Sequence, residues 1–159
     1  MKTKLVIYDL DGVLVEAKNI HFDALNDALG NEYEISWAEH LSTYDGLKTN
    51  QKLDMLSENK GLPTEHHSDI WEKKQKYTLQ MLKELKPNVE LQSLMSSLVD
   101  DGYKIAVCSN SIRKTVLTVL SKLGIMEYMD LVISNEDVKN SKPHPEMYWK
   151  AISMMSCLP

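Results

Sequence analysis

The sequence predicts an α/β fold, a Rossmann-like parallel sheet whose first strand is followed by a helical insert. Three observations carry this expectation. Apolar, β-branched runs of five or six residues recur at 4–8 (KLVIY), 103–108 (YKIAVC) and 130–134 (DLVIS), the pattern of strands covered on both faces. From residue 88 onward such runs alternate with helical periodicity, which is the grammar of right-handed crossovers in a parallel sheet. From about His21 to Leu85, by contrast, no convincing strand occurs, so this block reads as an insertion.

The elements follow in chain order. After the first strand, Leu25, Ala28 and Leu29 form one helical stripe, and Leu53 and Leu56 with Met55 form a second. The segment 66–85 is a long helix with Ile70, Tyr77, Met81 and Leu82 near helical spacing. Asp45-Gly46 marks a tight turn and Gly61-Leu62-Pro63 a break. Beyond Lys86-Pro87 a helix is expected at 88–100, on Val89, Leu91, Leu94, Met95 and Leu98, stopped by Asp101-Gly102. The second strand leads to a helix at 112–123 closed by Gly124. The third leads to a final helix at 145–155, with Pro145 suited to its first turn. The expected organisation is therefore an α/β core made of 1–15 and 87–159, and a helical cap of 16–86.

Bulk properties narrow the function. At 159 residues the chain suits one core with a small helical insert. A net charge of −5 without a basic patch disfavours nucleic-acid binding. No apolar run reaches membrane-spanning length, so no membrane partner is expected. The apolar stretch of the N-terminus ends at Asp9, too soon for a secretory signal. Cys108 and Cys157 read as reduced thiols of a cytoplasmic protein.

In open parallel sheets, ligands bind beyond the carboxyl ends of the strands. Here those ends carry Asp9 and Asp11, then Ser109 and Asn110, then Ser134, with a Lys142-Pro143-His144-Pro145 loop after the third strand. Two carboxylates, a hydroxyl, an amide and an ammonium on one rim suit a phosphate with a hard divalent cation. Carboxylates hold the metal, while hydroxyl and ammonium groups hold the phosphate. Ser109-Asn110 also suits the cap of the following helix, a role compatible with anion binding at its N-terminus.

These residues resemble the haloacid dehalogenase superfamily, in particular its capped phosphatase and β-phosphoglucomutase-like branch. Asp9-Leu10-Asp11-Gly12-Val13 fits the first motif, Ser109-Asn110 the second and Lys142-Pro143 the third; Tyr44-Asp45-Gly46-Leu47-Lys48-Thr49 is similar to a cap segment of sugar-phosphate members. The resemblance implies that Asp9 is a nucleophile forming an aspartyl-phosphate, and that Asp11 is the acid and base. It further implies that Asp9 and the backbone carbonyl of Asp11 bind Mg²⁺, that Ser109 and Asn110 bind phosphate, and that Lys142 neutralises its charge. His21, near the cap hinge, is a candidate substrate contact or a packing histidine. Lys48 is a candidate substrate contact or a helix start.

The resemblance breaks at the end of the chain. A fourth, acid-rich strand end is expected after the last helix, beside the first strand, yet the chain stops at Ser156-Cys157-Leu158-Pro159. The expectation is a chain truncated before its C-terminal strands, with an exposed apolar edge open to self-association. The function implied is Mg²⁺-dependent hydrolysis of a small phosphorylated metabolite such as a sugar phosphate. A β-phosphoglucomutase-like phosphomutase is the alternative, weakly disfavoured by Ala17 where mutases often carry threonine. A catalytically disabled binding domain is the other.

Overall fold

The computed structural model describes residues 4–155 and divides the chain into two compact units, Met1–Glu16 with Leu85–Pro159, and Ala17–Glu84. Cys157 and the residues around the chain end lie outside the described residues.

The first unit holds a parallel sheet of three strands, β1 (Lys4–Tyr8), β2 (Tyr103–Cys108) and β3 (Leu131–Ile133), in the order β1-β2-β3. Tyr8 pairs with Val107 and Cys108 with Ile133, so β1 and β2 end almost level. Ile105 to Cys108 of the central strand are fully buried, whereas Leu5 to Tyr8 of β1 are only half-buried. The difference follows from topology, because β1 is an edge strand of the described sheet. The chain crosses from β2 to β3 through helix Arg113–Leu123, which ends on a left-handed Gly124, as its glycine predicts. The final helix, Glu146–Met154, packs Met147 and Ala151 against Cys108 and Ile133.

Two sequence expectations change here. In helix Val89–Asp100 only Met95 is fully buried, while Val89 is 74% and Leu94 45% exposed. The apolar spacing there is broader than the stripe that the sheet covers. The third strand is also shorter than 130–134 at both ends. Asp130 turns its carboxylate back onto the Ile105 amide (2.9 Å) and Lys104 (2.7 Å). Ser134 leaves the strand to cap a short turn at Asn135–Asp137.

The second unit is helical. Its helices are α1 (Lys18–Leu29), α2 (Trp37–Glu39), α3 (Thr49–Lys60) and α4 (His67–Met81), with a π-helical turn at His40–Tyr44. Leu25, Ala28 and Leu29 of α1 meet Leu53 and Leu56 of α3 and Ile70 of α4 in one core. Its loops are held by side chains that satisfy backbone groups. Asn26 donates to the Ile35 carbonyl (2.9 Å) and accepts from its amide (3.0 Å), while Ser36 and Glu39 form a reciprocal capping box.

Candidate active site

Asp9 follows β1 directly, and the chain must reverse immediately to leave its carboxylate at the sheet's mouth. Gly12 permits this with φ +79°, a left-handed value that side chains disfavour. The turn closes on the Leu10 carbonyl, which accepts from the amides of Leu14 (2.9 Å) and Val15 (3.1 Å), and Leu10 itself is fully buried. Asp9 and Asp11 are thereby fixed on either side of a buried leucine.

The Asp9 carboxylate takes two donors on Oδ1, the Leu10 amide at 2.7 Å and the Lys142 ammonium at 2.6 Å. It remains 41% exposed, whereas the Lys142 side chain is 16% exposed. Lys142 Nζ also donates to the carbonyl of Cys108, the last residue of β2 (3.0 Å). A charge-assisted bond of this kind is short and strong, so the lysine offsets charge on a carboxylate that stays partly exposed.

Residues after β2 complete the rim. Ser109 is buried, and its hydroxyl accepts from the Ser111 amide (3.1 Å). The Ser111 hydroxyl donates to Asp11 Oδ2 (3.1 Å). The Asn110 amide grips the backbone of Lys142 from both sides. Oδ1 accepts from the Lys142 N–H (3.0 Å), and Nδ2 donates to the Lys142 carbonyl (3.0 Å). The loop before Lys142 is anchored by Glu146, which accepts from the amides of Lys139 and Asn140 (both 2.8 Å); these bonds hold its carboxyl below its ordinary range.

The structure therefore brings Asp9, Asp11, Ser109, Asn110 and Lys142 together in one unit. His21 and Lys48 belong to the helical unit. His21 lies half-buried in α1, and Lys48 stands at the start of α3, where its amide donates to Gln51 (3.2 Å). Sequence reasoning missed Ser111; its position two residues past Ser109, before a helix, was the available signal. It also missed Arg113, which donates to both oxygens of Asp137 (2.7 Å each). Burial of Asp137 works against its charge, but Arg113 and the Ser134 donors outweigh it and hold the carboxyl at about 2. Ser134, at the end of the third strand, thus serves this clamp, its hydroxyl donating to Asp137 (2.7 Å).

A divalent cation can be tested against this donor set. Among the described residues no cluster of three or more His, Cys, Asp or Glu side chains forms a metal cage. Mg²⁺ does not need one, since it is commonly held by one or two carboxylates with waters and substrate phosphate. The exposed Asp9 carboxylate and the nearby Asp11 fit that mode.

The whole chain has relatives. It is 25% identical over 170 residues to the pyrophosphatase PpaX of Bacillus cereus, covering 100% of this chain and 72% of the relative. It is 25% identical over 158 residues to a phosphorylated carbohydrates phosphatase of Thermotoga maritima, covering 97% and 71%. Among solved structures, a β-phosphoglucomutase from Clostridium difficile superposes with a TM-score of 0.79 at 27% identity, covering 98% of this chain and 72% of that one. A model of the haloacid dehalogenase-like hydrolases matches residues 6–159, and this chain, with its aspartate-bearing strand and its lysine loop, belongs to that family.

Proposed function

We propose that the chain is a phosphatase that hydrolyses a small phosphorylated metabolite, with sugar phosphates the leading class, through an aspartyl-phosphate on Asp9. The observation that carries the reading is the pairing of Lys142 Nζ with Asp9 Oδ1 at 2.6 Å, on a carboxylate still 41% exposed at a strand's carboxyl end. A lysine there lowers the repulsion between an anionic nucleophile and an anionic substrate.

In this reading an Asp9 oxygen attacks phosphorus, and the bond from phosphorus to the ester oxygen breaks. Asp11 gives its proton to the leaving oxygen, so the alcohol departs neutral. Asp11 then takes a proton from water, whose oxygen attacks the phosphoryl group and frees both phosphate and the Asp9 carboxylate. The Ser109 hydroxyl, with Asn110 nearby, and the Lys142 ammonium hold the phosphoryl oxygens. Asp9 and the Asp11 carbonyl would hold Mg²⁺, which supplies further charge neutralisation at the phosphoryl group. Residues 16–86 act as the cap that excludes water and reads the leaving group, with His21 and Lys48 as its candidate contacts. We place this activity in the cytoplasm, and any self-association along the half-buried β1 edge. Among the described residues no helix is long and apolar enough to cross a membrane.

Turnover of p-nitrophenyl phosphate, sugar phosphates and pyrophosphate, with and without Mg²⁺, tests the proposal. We expect Mg²⁺-dependent release of phosphate, lost by about 10³-fold or more in Asp9→Asn. Undiminished turnover in Asp9→Asn refutes it. So does calorimetric binding of phosphate with no turnover, which would instead mark a disabled site. The similarity to a β-phosphoglucomutase favours a second reading, transfer between positions of one sugar; interconversion of sugar phosphate isomers without phosphate release would select it.

A further inference from the structure

We infer that Asn110 is a positioning residue for Lys142, acting on the reaction through the lysine; the inference rests on the phosphatase reading for its kinetic consequence. Two hydrogen bonds of its side-chain amide end on the backbone of one residue 32 positions away. A residue in extended backbone points its N–H and C=O to the same side, as in a hydrogen-bonded pair of an antiparallel ladder. A side-chain amide offers one acceptor and one donor at matching separation, so Asn110 meets both backbone groups of Lys142, in the turn after the third strand, much as a ladder partner would. The helical unit uses the same device, since Asn26 binds both the amide and the carbonyl of Ile35. An ionised aspartate at position 110 has no donor for the Lys142 carbonyl, and alanine has neither group.

The consequence is geometric. Lysine is long and rotamer-rich, and its ammonium is a point charge without directional preference. For Nζ to rest on Asp9, its backbone must be fixed at a set distance from the end of β1. Asn110 fixes the backbone end, and the Cys108 carbonyl with Asp9 fixes the ammonium end. Asn110 and the Cys108 carbonyl both come from the end of the buried central strand, and Asp9 from the end of its neighbour β1. The run Ser109-Asn110-Ser111 thus divides its work. Asn110 holds Lys142, while Ser111 holds the Asp11 carboxylate.

Two measurements on the full chain test this. The first is the rate at which an acylating reagent labels Lys142, followed by peptide mass spectrometry, in wild type, Asn110→Ala and Asn110→Asp. Asn110→Asp keeps the size but sets an anionic oxygen against the Lys142 carbonyl. Both variants should label Lys142 about fivefold faster or more, the factor that one lost hydrogen bond represents, with the labelling of exposed Lys73 unchanged. The second is a kinetic cycle with Lys142→Ala. Asn110→Ala should lower kcat about 10–100-fold, the usual cost of a misplaced group. The double variant should be no worse than Lys142→Ala within about twofold, because an effect exerted through a residue vanishes with it.

Unchanged labelling of Lys142 in both variants overturns the inference, as do kinetic penalties that multiply in the cycle. The latter would mean that Asn110 acts on phosphate by itself. If wild type shows no turnover on any phosphate, the phosphatase reading fails separately, and the labelling rates alone decide whether Asn110 positions Lys142.

Discussion

His40 allows a stability prediction that is independent of the chemistry. Its ring is fully buried in the helical unit, stacked on Trp37 at 5.3 Å and edge-on to Phe22 at 5.4 Å. Neither ring nitrogen has a hydrogen-bond partner among the described residues. Burial pushes its pKa from 6.5 down to about 4, and the nearby Lys52, itself buried, pushes the same way, as do His21 and Lys18. Asp45 alone opposes them, with Oδ1 3.9 Å from Nε2, and its other oxygen lies 3.6 Å from Lys18.

A histidine whose folded pKa lies below its unfolded value favours the folded state when neutral. Its contribution is therefore fully present above about 6.5 and is lost as pH falls toward 4. The displacement from 6.5 to about 4 makes the loss between pH 7 and pH 4 about 3 kcal/mol, of which about 2 kcal/mol is gone by pH 5. Replacing His40 by phenylalanine keeps an aromatic ring on Trp37 and removes the titration. Urea denaturation of wild type and His40→Phe, followed by helical circular dichroism at pH 7, 6, 5 and 4, isolates the histidine because other groups titrate alike in both. The stability difference should move in favour of the variant by about 2–4 kcal/mol across that range. A difference that stays constant from pH 7 to pH 4 would refute the reasoning, because it would mean that His40 titrates equally in both states.

Two further outcomes follow from the α/β unit. Removing Arg113 (Arg113→Ala) leaves Asp137 without its bidentate partner. Arg113 is 43% exposed, so solvent screening reduces the loss to about 1 kcal/mol at pH 7. Because the Asp137 pKa is depressed, that stability is present above about 3.8 and falls away toward 2, so about half of the penalty should be gone by pH 3. Denaturation midpoints showing the same penalty at pH 3 and pH 7 would contradict the assigned cause. Cys108 is fully buried, and burial raises its thiol to about 11 despite the nearby Lys142. A thiol reagent at pH 8 should leave it unmodified in the folded chain and label it in urea, as read by peptide mapping; equal labelling in both would show that the strand end is open.

Much of the fold and the site was legible in the sequence because the determining interactions are local or periodic. A five-residue apolar run ending in Asp9, Asp11 and Gly12 specifies a strand, a reversal and two carboxylates without reference to any distant residue, whereas its half-burial at the sheet's edge was not written there. Gly124 closes its helix by backbone freedom alone. The order of strands and helices likewise carries parallel topology, because nearly all crossovers between parallel strands share one hand.

What the sequence determined by itself, then, is which groups are present and which strand end each one occupies. Tertiary structure alone decided how they pair. That Asn110 meets the backbone of Lys142, that Ser111 meets Asp11, and that Arg113 closes on Asp137 are contacts between residues 24 to 100 positions apart. No propensity or spacing encodes them, since each depends on the parallel register of Cys108 with Ile133 and on the loop that returns Lys142 to the end of β2. The same limit hid His40. Its sequence neighbours are ordinary, and only the packing of Trp37 and Phe22 with the nearby Lys52 makes its ring dry and its charge costly. Local chemistry is written along the chain, but desolvation and pairing exist only after distant segments have met.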